Sequence, residues 1–266
     1  MGLTRNTILA SFYGLGTPVH LSLFGGIQIP AIGVIWFLVT MYCGNMLFNA
    51  SLKIGTYFNK QVVIVLVLSL LESILGFVIA RRLALPWSFN AALVSQIFYC
   101  GGYLIRYLKL MENKNPVYFL GGLILWGVSV HSGFFYLNTA FANAPVLAIL
   151  GALGGSFVLM KLAQAMISFN WKLSLLRNYG QLSLIVMCFH LIDITLLHIS
   201  GFIYNELTMI HVTPILVVCA VICYRLLFTI LAVLIIPHIP LLRSFYLNRR
   251  FPVVNPKLGI ISKRLF

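Results

Sequence analysis

The sequence predicts an all-α fold, a polytopic transmembrane helical bundle of about seven to eight spans. Three observations carry that prediction: 61% of the 266 residues are apolar, only 8% are charged, and apolar runs close to bilayer length recur along the chain. A weaker run lies at residues 6 to 24. Clear runs follow at 32 to 50, 61 to 80, 87 to 105, 117 to 137, 145 to 163, 181 to 199 and 212 to 236. Residues 1 to 237 read as one membrane domain, and residues 238 to 266 as a basic tail too short to bury a core of its own.

The connections set the expected orientation. With residues 51 to 60, 106 to 116 and 161 to 179 and both termini on the cytoplasmic side, fifteen of the eighteen Lys and Arg residues lie inside. The exceptions are Arg81, Arg82 and Arg225. The linkers at 138 to 144 and 200 to 211 carry no basic residue and fall outside. Arg81 and Arg82 either snorkel to the headgroups or mark a hairpin over residues 81 to 90 that does not fully cross. The formal charge of +14 is therefore read as topology. It lacks the basic face of a nucleic-acid groove, so no nucleic-acid partner is expected.

Other features narrow the class. Nothing at the N-terminus resembles a cleavable signal peptide, so the protein is expected to enter the membrane by its own helices. The five cysteines, Cys43, Cys100, Cys188, Cys219 and Cys223, all lie in apolar runs without a C-x-x-C pair and are assigned to packing. No metal site is expected. No internal repeat is visible, although inverted repeats are common in secondary transporters.

The charges inside the spans are few and costly. Glu72, Asp193 and Arg225, with His190, fall near mid-membrane, where an Asp at a helix centre costs at least about 2.5 kcal/mol without a partner. One reading is that Arg225 neutralises Asp193 or Glu72 and fixes packing. The other is a polar functional cavity. His190 and Asp193 stand three residues apart, on one face of an unbroken helix, so the carboxylate is a possible orienting partner for a histidine acting as base or substrate ligand.

These residues lie in a longer pattern. Gly180-x-x-Ser183-Leu, followed by His190, resembles the late-helix signature of the acyltransferase-3 family of integral-membrane acyltransferases. Pro30-Ala-Ile-Gly33-Val-Ile-Trp36-Phe37-Leu38 is similar to the family's Gly-x-x-Trp-Phe-Leu helix entry. Leu85-Pro86-Trp87-Ser88 followed by Tyr99-Cys-Gly101-Gly-Tyr103 resembles the next helix pair. Tyr136-Leu-Asn138 through Asn143-Ala-Pro145, leading into Gly151-Ala-Leu-Gly154-Gly155, is similar to the branch related to sugar O-acetylases. The resemblance covers about residues 30 to 235, and its specificity lies in the order and spacing of motifs that are each weak alone.

The resemblance implies transfer of an acyl group, usually acetyl from acetyl-CoA or another acyl-CoA on the cytoplasmic side, to a hydroxyl of a cell-envelope sugar or polymer. The family's base is a histidine on its first transmembrane helix. No residue here matches it: Met1 to Arg5 looks like the approach to the family's third helix, and His20 sits in a Thr-Pro-Val-His context that does not fit. The expectation is thus a fragment, an inactive relative, or a variant with a rebuilt site.

For a rebuilt site the catalytic candidates are His190 and Asp193, with Ser183, Glu72, Arg225, Trp36 and His131 as substrate-binding candidates. Trp36 would stack on a sugar ring or sit in the interfacial aromatic belt. His131 would contact an acceptor or hydrate at the headgroups. Arg106, Lys109, Lys172 and Arg177 would meet coenzyme A phosphates or simply obey the positive-inside rule. Expected partners are membrane lipid and a glycan or glycolipid acceptor, in a multi-pass cell-membrane protein with a cytoplasmic C-terminus. The competing reading is a small transporter or lipid-binding membrane protein with a polar intramembrane cavity. A scaffold is the third, since Gly151-Ala-Leu-Gly154-Gly155 suits close helix contact.

Overall fold

The structure is a computed structural model that describes residue 8 and residues 11–21, 27–169 and 174–246. These are predominantly helical, and they divide into two compact units, Met1–Trp171 and Lys172–Phe266.

The first unit opens differently from expectation. In place of a span over residues 6 to 24, the chain leaves helical geometry at Gly14 (φ +58°) and forms a short antiparallel hairpin, β1 (Val19–Leu21) with β2 (Ile27–Ile29), in which Val19 faces Ile29. Glycines at 14 and 16 and a proline at 18 explain the break, because they favour turn geometry over a continuous helix. A Cβ at Gly14 would collide with the Trp87 indole, and one at Gly16 would come within 2.6 Å of the Trp36 indole. Leu15 and Ile29 are buried together.

Helix α1 (Trp36–Tyr57) follows a 3₁₀ turn, starting later and running further than the expected 32 to 50. Helix α2 (Gln61–Ala80) matches its expected limits. The expected span at 87 to 105 is instead a 3₁₀ turn at Pro86–Ser88, a short α3 (Phe89–Val94) and α4 (Gln96–Tyr107). Trp87 (φ +58°) and Ser88 (φ +50°) are both left-handed, which non-glycine residues adopt only under the hold of their surroundings. That hold includes the hydrogen bond from Thr40 Oγ1 to the Trp87 carbonyl (3.2 Å). Gln96, fully buried, donates from Nε2 to the carbonyls of Gly44 (3.0 Å) and Ala92 (2.8 Å) and so ties α4 to α1.

Helix α5 (Pro116–His131) starts with Asn115 accepting from the Val117 amide (3.0 Å) and stops six residues short of the expected 137. The chain turns through Gly133 (φ +108°) into a two-residue hairpin, β3 (Phe135–Tyr136) with β4 (Phe141–Ala142), before α6 (Pro145–Ser168). Helices α5 and α6 meet through backbone. A Cβ on Gly154 would lie 2.7 Å from the Gly122 carbonyl oxygen, one on Gly155 would lie 3.1 Å from the Trp126 ring, and one on Gly151 would collide with Ser129. The small-residue run is thus occupied by packing inside the chain.

The second unit contains α7 (Ser174–Gln181), α8 (Ser183–Ile192), a π-helical turn at Asp193–Leu197, α9 (Ile199–Met209), α10 (Pro214–Ile235) and α11 (Pro240–Tyr246). The expected single span at 181 to 199 and outer linker at 200 to 211 are replaced by two helical pieces bent by 60° across His198 (φ +53°). Among the described residues, three helices are long and apolar enough to cross a membrane, Gln61–Ala80, Pro145–Ser168 and Pro214–His238, and the bent pair passes the same test when taken together. Their outward residues, such as Leu66, Leu70 and Ile74 of α2, are apolar and suit a lipid environment. Cys219 and Cys223 are exposed on α10 and do not join the core, in contrast to buried Cys100.

Candidate functional site

The site grows out of an antiparallel ladder between α8 and α10. Ile185, Phe189 and Asp193 recur every four residues on one side, and Tyr224, Phe228 and Ala232 do so on the other. Ile185 joins Ala232 in the buried cluster, and the Phe189 and Phe228 rings lie 6.0 Å apart. The next rung is polar: the Tyr224 hydroxyl donates to Asp193 Oδ1 at 3.0 Å. Tyr224 also stacks on Phe228 at 5.9 Å, which fixes the ring that carries the hydroxyl. Asp193, 1% exposed, therefore occupies a core position at which the repeat calls for an apolar side chain.

That substitution accompanies the bend. The Asp193 carbonyl accepts the His198 amide (2.7 Å), an i to i+5 bond that widens the turn, and Asp193 Oδ1 also accepts the Ser200 amide (3.4 Å) in the first turn of α9. A carboxylate at that position satisfies an amide left open at the helix start and meets the positive end of its dipole. Arg225, beside Tyr224 on α10, donates from Nη2 to Ser200 Oγ (3.2 Å) and acts electrostatically on Asp193. Asp193, Ser200, Tyr224 and Arg225 thus form one hydrogen-bonded cluster at the break. Two of its buried polar atoms, Asp193 Oδ2 and Arg225 Nε, have no hydrogen-bond partner in the protein.

The cluster brings together two of the expected residues, Asp193 and Arg225, which are linked through Ser200 and not by a direct ion pair. It departs from the expected geometry at His190. That ring lies in the last turn of α8, half-buried, and makes no hydrogen bond among the described residues; the carboxylate takes its donors from Tyr224 and Ser200 instead. The reason is the ladder register: position 193 continues the face of 185 and 189, whereas position 190 is rotated from residue 189 by about 100°. Ser183 is exposed at the start of α8, about 10 Å along the axis from His190, and is not part of the cluster.

The remaining expected residues lie elsewhere. Glu72 sits half-buried in the middle of α2, in the first unit, with Oε2 unpartnered. Trp36 opens α1 and packs over Gly16. His131 is exposed at the end of α5. Arg106 and Lys109 are both exposed where α4 ends, and Arg177 is exposed on α7 in the second unit. Lys172 falls outside the described residues. Tyr224 and Ser200 were not among the expected site residues. Tyr224 carried a signal in its position next to the charged Arg225, but Ser200 lay in what reads as an outer linker. No family model matches the chain, and neither a curated protein nor a solved structure matches it.

Proposed function

We propose that this chain is a membrane-bound O-acyltransferase-like protein that transfers an acyl group, acetyl by the motif resemblance, from acyl-CoA to a hydroxyl of a cell-envelope sugar or polymer. The observation that carries the reading is the buried Asp193 cluster immediately after the Gly180, Ser183 and His190 motif, which puts a carboxylate, a phenol and a guanidinium where an acceptor hydroxyl could be held and polarised. Charged groups at membrane depth are expensive, which favours a functional role over a packing one. In this reading the protein is multi-pass, with the seven clear apolar runs of the sequence as its crossings. The C-terminus and the basic connections are cytoplasmic. Arg177 on α7, in the same unit as the cluster, would then meet a coenzyme A phosphate, and His190 would assist from the adjacent face of α8.

The assay is incubation of membranes carrying the chain with radiolabelled acetyl-CoA and envelope glycan, followed by release of label with mild alkali. Alkali-labile label on the glycan that depends on the chain is the expected result. No such label from membranes with verified, folded protein would refute acyl transfer.

The 60° break between α8 and α9 favours a second reading, a small transporter, because broken helices at membrane depth build transporter ion and substrate sites. Solute or proton flux into liposomes without ester formation would select it.

A further inference from the structure

Two atoms define an unfilled role in the cluster. Asp193 Oδ2 is a buried acceptor with no donor, and Arg225 Nε is a buried donor with no acceptor. Their residues are joined through Ser200, whose amide is bound by Asp193 and whose hydroxyl is bound by Arg225. Asp193 and Arg225 do not themselves form an ion pair, although the guanidinium acts electrostatically on the carboxylate. Buried polar atoms rarely remain unpaired, because each forfeits its hydration.

The charges select what can fit. A phosphate would be repelled by Asp193 and a metal cation by Arg225. A neutral group that both donates and accepts suits both atoms, as a water or an alcohol hydroxyl does. We infer that Asp193 Oδ2 and Arg225 Nε form a subsite for one hydroxyl of a polyol acceptor, the proton directed at Oδ2 and the oxygen lone pair at Nε. The binding stands on the two atoms alone; the chemistry that follows rests on the acyl-transfer reading. In that chemistry the hydroxyl oxygen bonds to the thioester carbonyl carbon and its proton passes to Asp193 Oδ2. The carbon–sulfur bond then breaks, and the departing thiolate takes the proton to leave as free coenzyme A thiol. Asp193 is then the base, and His190, off the ladder face, is not.

The test uses the full chain in nanodiscs, with methyl α-D-glucoside as the hydroxyl-bearing probe and its fully O-methylated derivative as the control without hydroxyl protons. Hydrogen exchange of the amides in α9 next to Ser200 is read in parallel with thiol release from acetyl-CoA. The glucoside should slow exchange in the native protein but not in Asp193→Asn or Arg225→Lys, and the methylated control should slow it in none. Asp193→Asn keeps an acceptor for Tyr224 and Ser200, and Arg225→Lys keeps the charge, so either variant serves if the other misfolds.

If thiol release is stimulated by the glucoside, Asp193→Asn should lower that rate about 100-fold, the lower end of what a general base contributes. Equal slowing of exchange in the native protein and both variants, or none in any, overturns the subsite. Slowed exchange without thiol release leaves the subsite standing and removes acyl transfer. Stimulated release that Asp193→Asn does not reduce keeps acyl transfer and removes Asp193 from it.

Discussion

A methyl group added at Gly154 tests the packing of α5 on α6 with little else changed. The new Cβ would sit 2.7 Å from the Gly122 carbonyl oxygen and 3.3 Å from both the Gly122 Cα and the Leu125 Cβ. The nearest atom is backbone, so no rotamer change relieves the contact and the two helices must move apart. Overpacking of this kind costs about 1–3 kcal/mol. Replacing glycine by alanine within a helix returns about 0.8–1 kcal/mol of helix propensity, which obscures a single measurement. Gly121, in the partner helix α5, is the internal reference, because a Cβ there meets nothing within 4 Å. The difference between Gly154→Ala and Gly121→Ala cancels propensity and isolates the contact, predicted at about 1–3 kcal/mol in favour of Gly121→Ala. Reversible unfolding in mixed SDS micelles, followed by circular dichroism, measures both variants. Equal stability, or a more stable Gly154→Ala, would refute the close backbone approach.

Three further outcomes follow from the same geometry. Tyr224→Phe removes one of the two donors to the buried Asp193 carboxylate and should lower stability by about 1.5–3 kcal/mol in the same unfolding assay, more than Tyr204→Phe at an exposed site. Lys161 donates from Nζ to the carbonyls of Met111 (2.7 Å) and Asn113 (2.8 Å), so Lys161→Met should loosen the connection between α4 and α5. Trypsin should then cut after Lys109 or Lys114 faster than in the native protein, and unchanged cleavage would show that the clamp does not hold the loop. The proposed topology predicts that, in a variant lacking the native cysteines, Asn138→Cys reacts with an impermeant maleimide in intact cells, whereas Asn113→Cys reacts only after permeabilisation.

The limits of helix α2 and the α6 start at Pro145 were legible because an apolar run bounded by helix breakers or polar residues leaves little choice. The first run takes another form. Gly14, Gly16 and Pro18 each favour a turn, and the structure follows them into a hairpin, where hydrophobicity alone suggested a weak span. The run at 87 to 105 is apolar enough for one helix, yet Trp87 and Ser88 adopt left-handed geometry; the Trp87 carbonyl takes a hydrogen bond from Thr40, forty-seven residues earlier. No local pattern encodes such a partner. Most of the outer linker expected at 200 to 211 lies in helix α9, whose first turn is met by a carboxylate from before the bend.

Composition and periodicity alone determined that this chain builds apolar helices with a few costly charges among them, since burial of hydrocarbon depends on residue type and spacing more than on partners. They also singled out Asp193 and Arg225. Which groups these charges address was decided only by tertiary structure. The α8–α10 register turns Asp193 toward Tyr224 and leaves His190 on another face, and the bend brings Ser200 between carboxylate and guanidinium. A hydrogen bond depends on distance and angle between groups far apart in the chain, and those are set when the helices pack.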